Sequence, residues 1–199
     1  MKDFEYAIAL TGGIATGKSS ATEIFSGYGF EIIDADTITH QILDTQAAKI
    51  AELFGKQYLS GGKVDRRALG TLVFGNEKKR KMLESLLHPL IQKMILSQSQ
   101  KLDASQKPYL VDIPLFYESG IYPIKRTVLV YAPREVQLER LVKRENYAAK
   151  EASLRLDAQM DIEEKRGKAT YVIDNSGDLP QLKRECQRVR DLLLSGNKL

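Results

Sequence analysis

Residues 6–20, YAIALTGGIATGKSS, decide the fold of this 199-residue chain. The stretch begins with a short apolar run, which is typical of a strand buried in a parallel sheet. It continues into Gly12–Ser19, which matches the pattern G-x-x-x-x-G-K-S/T at every fixed position. A helix is predicted from Lys18 to about Ser26. Strand, glycine loop and helix in this order are the context that a phosphate-binding loop requires.

The glycine loop predicts that the chain binds a nucleoside triphosphate. Glycines let the backbone wrap around a phosphate, and successive N–H groups with the helix N-terminus supply positive potential. We expect Lys18 to reach the β- and γ-phosphates and the Ser19 hydroxyl to ligate Mg²⁺. The predicted ATP-binding residues of the loop are Gly13, Ile14, Ala15, Thr16, Gly17, Lys18, Ser19 and Ser20. The loop alone leaves the acceptor open, because kinases, GTPases, motors and switches all use it.

Four further apolar runs predict the rest of a sheet, at 30–33, 109–111, 127–131 and 171–173. Because helical patterns alternate with them, the predicted fold class is α/β, a three-layer fold with a mostly parallel five-stranded sheet. Helix caps are predicted at Asp65, Asn76 and Asp178. Pro89 is expected either to start a helix or to kink one.

Changes in pattern along the chain divide it into three parts. A nucleotide-binding core is predicted at 1–36, 108–142 and 169–199. Residues 37–107 are predicted to form a helical insertion, because apolar residues recur there every three to four positions. The segment 143–168 is rich in Lys, Arg and Glu, and we expect it to be too charged for a core and to act as a mobile cover, or lid.

Composition excludes several classes of protein. No apolar run approaches the ~18–20 residues of a membrane helix, and the N-terminus lacks the apolar stretch of a secretory signal. The single cysteine, Cys186, excludes an intrachain disulfide and is predicted to be core. The net charge of +4 suits small anions as well as nucleic acid, and without Trp there is no obvious stacking platform for single strands. We expect a cytoplasmic protein without nucleic-acid or membrane partners, acting as a monomer or weak homo-oligomer.

Acidic residues follow two of the predicted strands. Asp34 and Asp36 come at the strand end where open α/β sheets bind ligands. A carboxylate there can orient an acceptor hydroxyl and take its proton, although one of the two could instead cap the next helix. Asp112 ends another apolar strand, where it either holds Mg²⁺ through water or is a turn residue.

These and later residues together resemble the dephospho-CoA kinase family, from about residue 6 to residue 182. The resemblance implies that ATP with Mg²⁺ phosphorylates the ribose 3′-hydroxyl of dephospho-CoA, the last step of coenzyme A synthesis. It also implies a nucleotide-binding core, a helical region for the CoA acceptor and a lid, and it makes Asp36 the catalytic base. It assigns His88, Pro114 and Leu115 to the acceptor. The residues that carry it are Gly12–Ser19, Asp34–Asp36, Asp65–Gly70, His88–Pro89, Pro114–Glu118, Arg140, Leu141, Arg144, Ala152, Arg155, Gln159 and Val172–Asn175.

Arginines are predicted to complete the site. A transferring phosphoryl group spreads charge over its oxygens, and arginines on a closing segment stabilise that charge and exclude water. Arg140, Arg144 and Arg155 are the candidates, with Arg140 also assigned to ATP; for each, a solvated, salt-bridged helix face is the alternative. His40 and His88 are expected to be structural or to contact the acceptor, because two isolated histidines offer no zinc spacing.

Three residues or pairs of this sequence depart from the family pattern. Ala15 and Thr16 replace a common Gly-Ser pair, Tyr117 replaces an apolar residue, and Thr170 replaces a frequent Asp; we expect these to affect affinity rather than reaction type.

Two rival functions stay open at this point. One rival is another small-molecule kinase for a nucleoside, nucleotide or shikimate-like acceptor. The other is a GTPase-like switch or a nucleotide-dependent binding module, and the absence of the guanine-reading tetrapeptide Asn-Lys-x-Asp counts against the switch.

Overall fold

The computed structural model describes residues 3–145 and 148–195, without the side chains of 144 and 145. Its strands are β1 (Ala7–Gly12), β2 (Ile32–Asp34), β3 (Leu59–Ser60), β4 (Lys63–Val64), β5 (Tyr109–Asp112), β6 (Arg126–Tyr131) and β7 (Tyr171–Asp174). Its helices are α1 (Lys18–Gly27), α2 (Ala35–Thr45), α3 (Ala47–Phe54), α4 (Arg66–Phe74), α5 (Glu77–Asp103), α6 (Phe116–Ser119), α7 (Arg134–Glu145), α8 (Ala149–Asp157), α9 (Ile162–Lys168) and α10 (Leu179–Ser195), with a 3₁₀ turn at Lys56–Tyr58.

Five of these strands form one sheet in the order β2-β5-β1-β6-β7. The central strand β1 pairs in parallel with β5 and β6, so that Ala9 lies between Val111 and Thr127. β6 in turn pairs in parallel with β7. Every residue of β1 is buried, as expected of a strand with neighbours on both sides and helices over it. The predicted α/β fold with a mostly parallel five-stranded sheet is confirmed.

Helices α1 and α10 supply apolar side chains to the main core cluster of the sheet. Phe25 of α1 and Cys186 of α10 are fully buried in the same cluster as Leu10 and Val128. Burial raises the pKa of the Cys186 thiol to about 12. The prediction of Cys186 as core is confirmed.

The second strand starts later than predicted. Phe30 precedes β2 and packs edge-on against Phe25, with ring centroids 5.3 Å apart, so it serves the core without joining the ladder. At the other end of β2, the Asp34 carboxylate accepts a hydrogen bond from the Thr37 N–H at 2.9 Å and caps α2. Asp36 lies within the first turn of α2, so the capping alternative applies to Asp34 and not to Asp36.

Contacts divide the chain into two compact units, and one of them is Asp34–Gln98. It contains the predicted helices, and the predicted caps Asp65 and Asn76 accept hydrogen bonds from the N–H groups of Ala68 and Lys79. Pro89 lies inside α5. The unit also contains an antiparallel β3-β4 hairpin, which is too short to leave a periodic signal in the sequence.

The other unit comprises the remainder of the chain and includes the charged segment 143–168. The expectation that this segment contributes nothing to a core is wrong. Ala152 and Leu156 of α8 are buried with Leu141 of α7, and Ile162 of α9 is buried with Leu129 of β6. A few apolar residues at helical spacing give each helix a buried face, while most of its charged residues stay exposed.

The division into a core, an acceptor-binding insertion and a lid stays a prediction, because it concerns function. Within 3–145 and 148–195, none of the helices has the length and apolar character needed to cross a bilayer.

Candidate nucleotide-binding site

The phosphate loop between β1 and α1 is fixed by its own hydrogen bonds and backbone geometry. Thr16 donates to the Gly13 carbonyl through its backbone N–H at 3.3 Å and through its hydroxyl at 2.9 Å. Gly17, the N-cap of α1, has φ +87°, a conformation that suits a residue without Cβ. Ala15 adopts φ +60° despite its methyl group, at a cost of about 1–2 kcal/mol.

The lysine at the start of α1 points into a buried acidic site at the end of β5. Lys18 Nζ lies 2.5 Å from Asp112 Oδ1, and the Thr22 hydroxyl donates to Asp112 Oδ2 at 2.9 Å. The Asp112 side chain is only 7% exposed, so the turn-residue alternative does not describe it. Because Lys18 and Thr22 are one turn apart on α1, the helix holds both oxygens of the carboxylate.

The loop after β7 supports the phosphate loop from the side. The amide nitrogen of Asn175 donates to the Thr16 carbonyl at 2.7 Å, and Asn175 itself is buried. Arg140 of α7 donates to the carbonyl of Asn175 at 2.8 Å and, at 3.4 Å each, to those of Ala15 and Gly177. Arg140 is thus an anchor that joins the phosphate loop to the loop after β7.

A cavity of about 430 Å³ opens beside these contacts. Its size falls within the usual range of small-molecule sites. The predicted ATP-binding residues Ala15, Gly17, Ser20 and Arg140 line it, and Leu179 adds an apolar wall. The site therefore combines a phosphate cradle with an adjoining pocket of mixed polarity.

α9 and the connection between α8 and α9 also contact the phosphate loop. The Ile14 N–H donates to Gln159 Oε1 at 2.9 Å. Lys165 of α9 has no exposed surface, and its Nζ donates to the Gly12 carbonyl at 3.0 Å and lies 2.6 Å from Glu118 Oε1. The segment predicted to be a mobile cover thus supplies direct partners of the phosphate loop.

The remaining predicted site residues lie in several places. Arg155 of α8 pairs with Glu151 at 3.1 Å, and the Arg144 side chain lies outside the described part of the chain. Pro114 accepts a hydrogen bond from the Thr11 hydroxyl at 3.0 Å, and Leu115 is 45% exposed. The roles predicted for the residues of the Asp34–Gln98 unit, Asp36, His40 and His88, stay predictions.

Two of the departures from the family pattern belong to one hydrogen-bond network. The Tyr117 hydroxyl donates to Thr127 Oγ1 at 3.0 Å. Thr127 and Thr170 exchange backbone and side-chain hydrogen bonds, with the Thr127 N–H donating to Thr170 Oγ1 at 3.1 Å. The Tyr117 hydroxyl and Thr170 are therefore linked through their shared partner Thr127.

Sequence reasoning missed four of the residues that hold the loop. Thr22 could have been found from its spacing, because it lies one turn after Lys18 on the same face of the predicted helix. Asn175 and Gln159 belong to the residues that carry the family resemblance, but nothing in the sequence gave them a partner. Lys165 had no signal at all.

A parallel sheet with a glycine loop after its central strand, and with a lysine and a buried aspartate beside that loop, defines a P-loop nucleotide-binding protein. The sequence matches the dephospho-CoA kinase family over residues 6–181. This chain belongs to the dephospho-CoA kinase family.

Relatives bear out this membership over nearly the whole chain. The dephospho-CoA kinase of Sulfurimonas denitrificans is 52% identical over 184 residues, covering 92% of both chains. That of Wolinella succinogenes is 47% identical over 191 residues, covering 95% of both. The solved structure of dephospho-CoA kinase from Campylobacter jejuni is 39% identical with a TM-score of 0.79, covering 96% of this chain and 98% of that one.

Proposed function

We propose that this chain transfers the γ-phosphoryl group of ATP to the ribose 3′-hydroxyl of dephospho-CoA and so forms coenzyme A. The observation that carries the proposal is similarity over nearly the full length to proteins named dephospho-CoA kinase. The loop chemistry supports it, because the lysine and the buried aspartate of a phosphate-transfer site lie together. The same similarity disfavours both rival functions, another acceptor kinase and a GTPase-like switch.

Binding of ATP follows from the groups around the loop. The N-terminus of α1 offers N–H groups and positive potential to the phosphates. Lys18 would exchange its contact with Asp112 for a contact with the β- and γ-phosphates. There its ammonium group would stabilise the negative charge that develops on the phosphate oxygens as the bond to the leaving group breaks. The purine would occupy the cavity beside Arg140 and Asn175, where backbone carbonyls and apolar walls suit a flat base.

The residues beside the loop fit Mg²⁺. Mg²⁺ takes oxygen ligands and keeps several waters, so one or two protein oxygens with substrate phosphates suffice. Ser19 would supply its hydroxyl, and Asp112, held by Thr22, would supply a carboxylate directly or through water. Bound Mg²⁺ would neutralise charge on the phosphate oxygens. In the described residues no group of three or more His, Cys, Asp or Glu side chains forms a metal site of the all-protein kind.

The acceptor side of the reaction is assigned by the family pattern. Asp36 would orient the 3′-hydroxyl and take its proton. Arg144 and Arg155 would stabilise the charge of the transferring group, for which Arg155 must exchange its contact with Glu151. His88 and Pro114–Leu115 would contact dephospho-CoA. The proposal also takes the protein to be a cytoplasmic monomer or weak homo-oligomer that binds no nucleic acid; of these calls, the single cysteine supports the cytoplasmic location.

A panel of acceptors tests the proposal. The purified chain is supplied with ATP and Mg²⁺, and kcat/KM is measured for dephospho-CoA, nucleosides, nucleoside monophosphates and shikimate. We expect dephospho-CoA to exceed every other acceptor by at least about 10³, since a site built around hydrogen bonds rejects analogues that lack the matching groups. A higher kcat/KM for any other acceptor would refute the assignment.

A further inference from the structure

Lys165 is the most deeply buried charged residue among those that the structure describes. Its surface exposure is 0%, and it lies in the middle of α9, a helix whose other charged residues are exposed. A lysine is rarely buried without partners, because taking an ammonium group out of water is costly. The burial of the Lys165 Nζ therefore needs an explanation, whereas the other charged residues of α9 are exposed and need none.

Two partners hold the Lys165 ammonium group. It donates to the Gly12 carbonyl at 3.0 Å and lies 2.6 Å from Glu118 Oε1. The same Glu118 oxygen accepts the N–H of Met160 at 3.1 Å, so the carboxylate joins α6 to the start of α9. Glu118 balances the charge, and Gly12 is the target at the phosphate loop.

The contact with Gly12 controls a peptide at the entrance of the loop. The Gly12 carbonyl and the Gly13 N–H belong to one planar trans peptide, so they point in opposite directions and turn together. The next carbonyl, that of Gly13, is fixed by the hydroxyl and the N–H of Thr16. Lys165 therefore helps to define the direction in which the chain leaves β1 and enters the phosphate cradle, at a glycine pair that has no Cβ to restrict its backbone.

We infer that Lys165 is a positioning residue for the ATP site. Its ammonium group orients the Gly12–Gly13 peptide and so presets the phosphate loop, while Glu118 keeps the buried charge neutral. The inference rests on the proposed function only in that the loop binds ATP. Through Lys165, α9 would help to position the loop that binds ATP, whereas the exposed charged residues of α9 would have no part in this.

The test separates positioning from plain stability. Lys165→Met keeps the length of the side chain and removes the charge, and Lys165→Met with Glu118→Gln also removes the unpaired carboxylate while retaining the acceptor for Met160. Lys168→Met is the matched control, because Lys168 lies one turn further along α9 and is exposed, and its Nζ pairs with Glu164 at 2.6 Å and lies 3.8 Å from Met160 Sδ rather than contacting the phosphate loop. For each protein, Tm is measured by thermal unfolding, Kd for ATP by titration calorimetry, and KM for dephospho-CoA by steady-state kinetics.

We expect Lys165→Met to lower Tm and to raise Kd for ATP. In the double variant Tm recovers, because no buried charge is left unpaired. Its Kd for ATP stays raised about 10- to 100-fold, the range of one charge-assisted hydrogen bond, with KM for dephospho-CoA within about twofold of wild type. Lys168→Met matches wild type in all three measurements.

Several results would overturn the inference. ATP affinity that recovers together with Tm in the double variant would show that Lys165 only stabilises the fold. An equal loss of affinity in Lys168→Met would show that α9 acts through its overall charge. Failure of the wild-type protein to bind ATP would refute the proposed function and this inference with it, whereas failure of the inference alone leaves wild-type ATP binding and turnover intact.

Discussion

Replacing Gly17 by alanine is expected to destabilise the protein through two separate effects. Gly17 has φ +87°, and a residue with Cβ in this conformation costs about 1–2 kcal/mol. The added Cβ would also overlap the amide nitrogen of Asn175, which donates to the Thr16 carbonyl at 2.7 Å. Displacing that amide leaves buried polar groups unpaired, at a further cost of about 1–3 kcal/mol. The sum is about 3 kcal/mol.

Thermal unfolding with a matched glycine control measures this effect. For a chain of this length, about 3 kcal/mol corresponds to a fall in Tm of about 6–12 °C. Gly27 ends the same helix, its φ is not positive, and a Cβ there meets nothing within 4 Å, so Gly27→Ala should leave Tm within about 3 °C of wild type. ATP binding by titration calorimetry should weaken only in Gly17→Ala. Equal Tm values for the two variants would refute the reasoning from backbone conformation and overlap.

Three further predictions concern the chemistry of the site and the core. Asp36→Asn should lower kcat by about 10²–10⁴ while Kd for ATP stays unchanged. The control Asp34→Asn should keep activity, because Asn caps a helix as well as Asp does. Normal turnover in Asp36→Asn would exclude Asp36 as the base. Lys18→Met should lower kcat, measured by steady-state kinetics, by about 10²–10³. Lys49→Met, at an exposed lysine, is the control. Equal kcat values for the two variants would exclude Lys18 from phosphate transfer. Because burial raises the Cys186 pKa to about 12, almost no thiolate exists at pH 8, so a colorimetric thiol reagent should label the native protein only after denaturant is added. Rapid labelling of the native protein would contradict the burial of Cys186.

The sheet and the phosphate loop were predictable because their signals are local. The buried run before Gly12 is a continuous apolar segment, and the loop pattern fixes residue types at fixed spacing. The capping residues were predictable for the same reason, since Asp65 and Asn76 bond to N–H groups three residues on. The β3-β4 hairpin was not, because strands of two residues show no alternation.

The contacts that hold the loop were beyond the sequence because their partners lie far apart along the chain. A lysine in a polar segment is normally solvated, so nothing marked Lys165 as the partner of Gly12, 153 residues away. Asn175 and Thr16 are similarly separated, by 159 residues. Such pairs follow from how β7 and α9 pack against β6, the strand next to β1, which is tertiary information.

The most direct test of the account is the identity of the product. The wild-type protein is incubated with ATP, Mg²⁺ and dephospho-CoA, and the product is resolved by mass and by ³¹P NMR. The account predicts a single new phosphomonoester on the ribose 3′-oxygen, formed with one ADP for each coenzyme A. ADP released without a phosphorylated acceptor, or a phosphate at any other position, would contradict it.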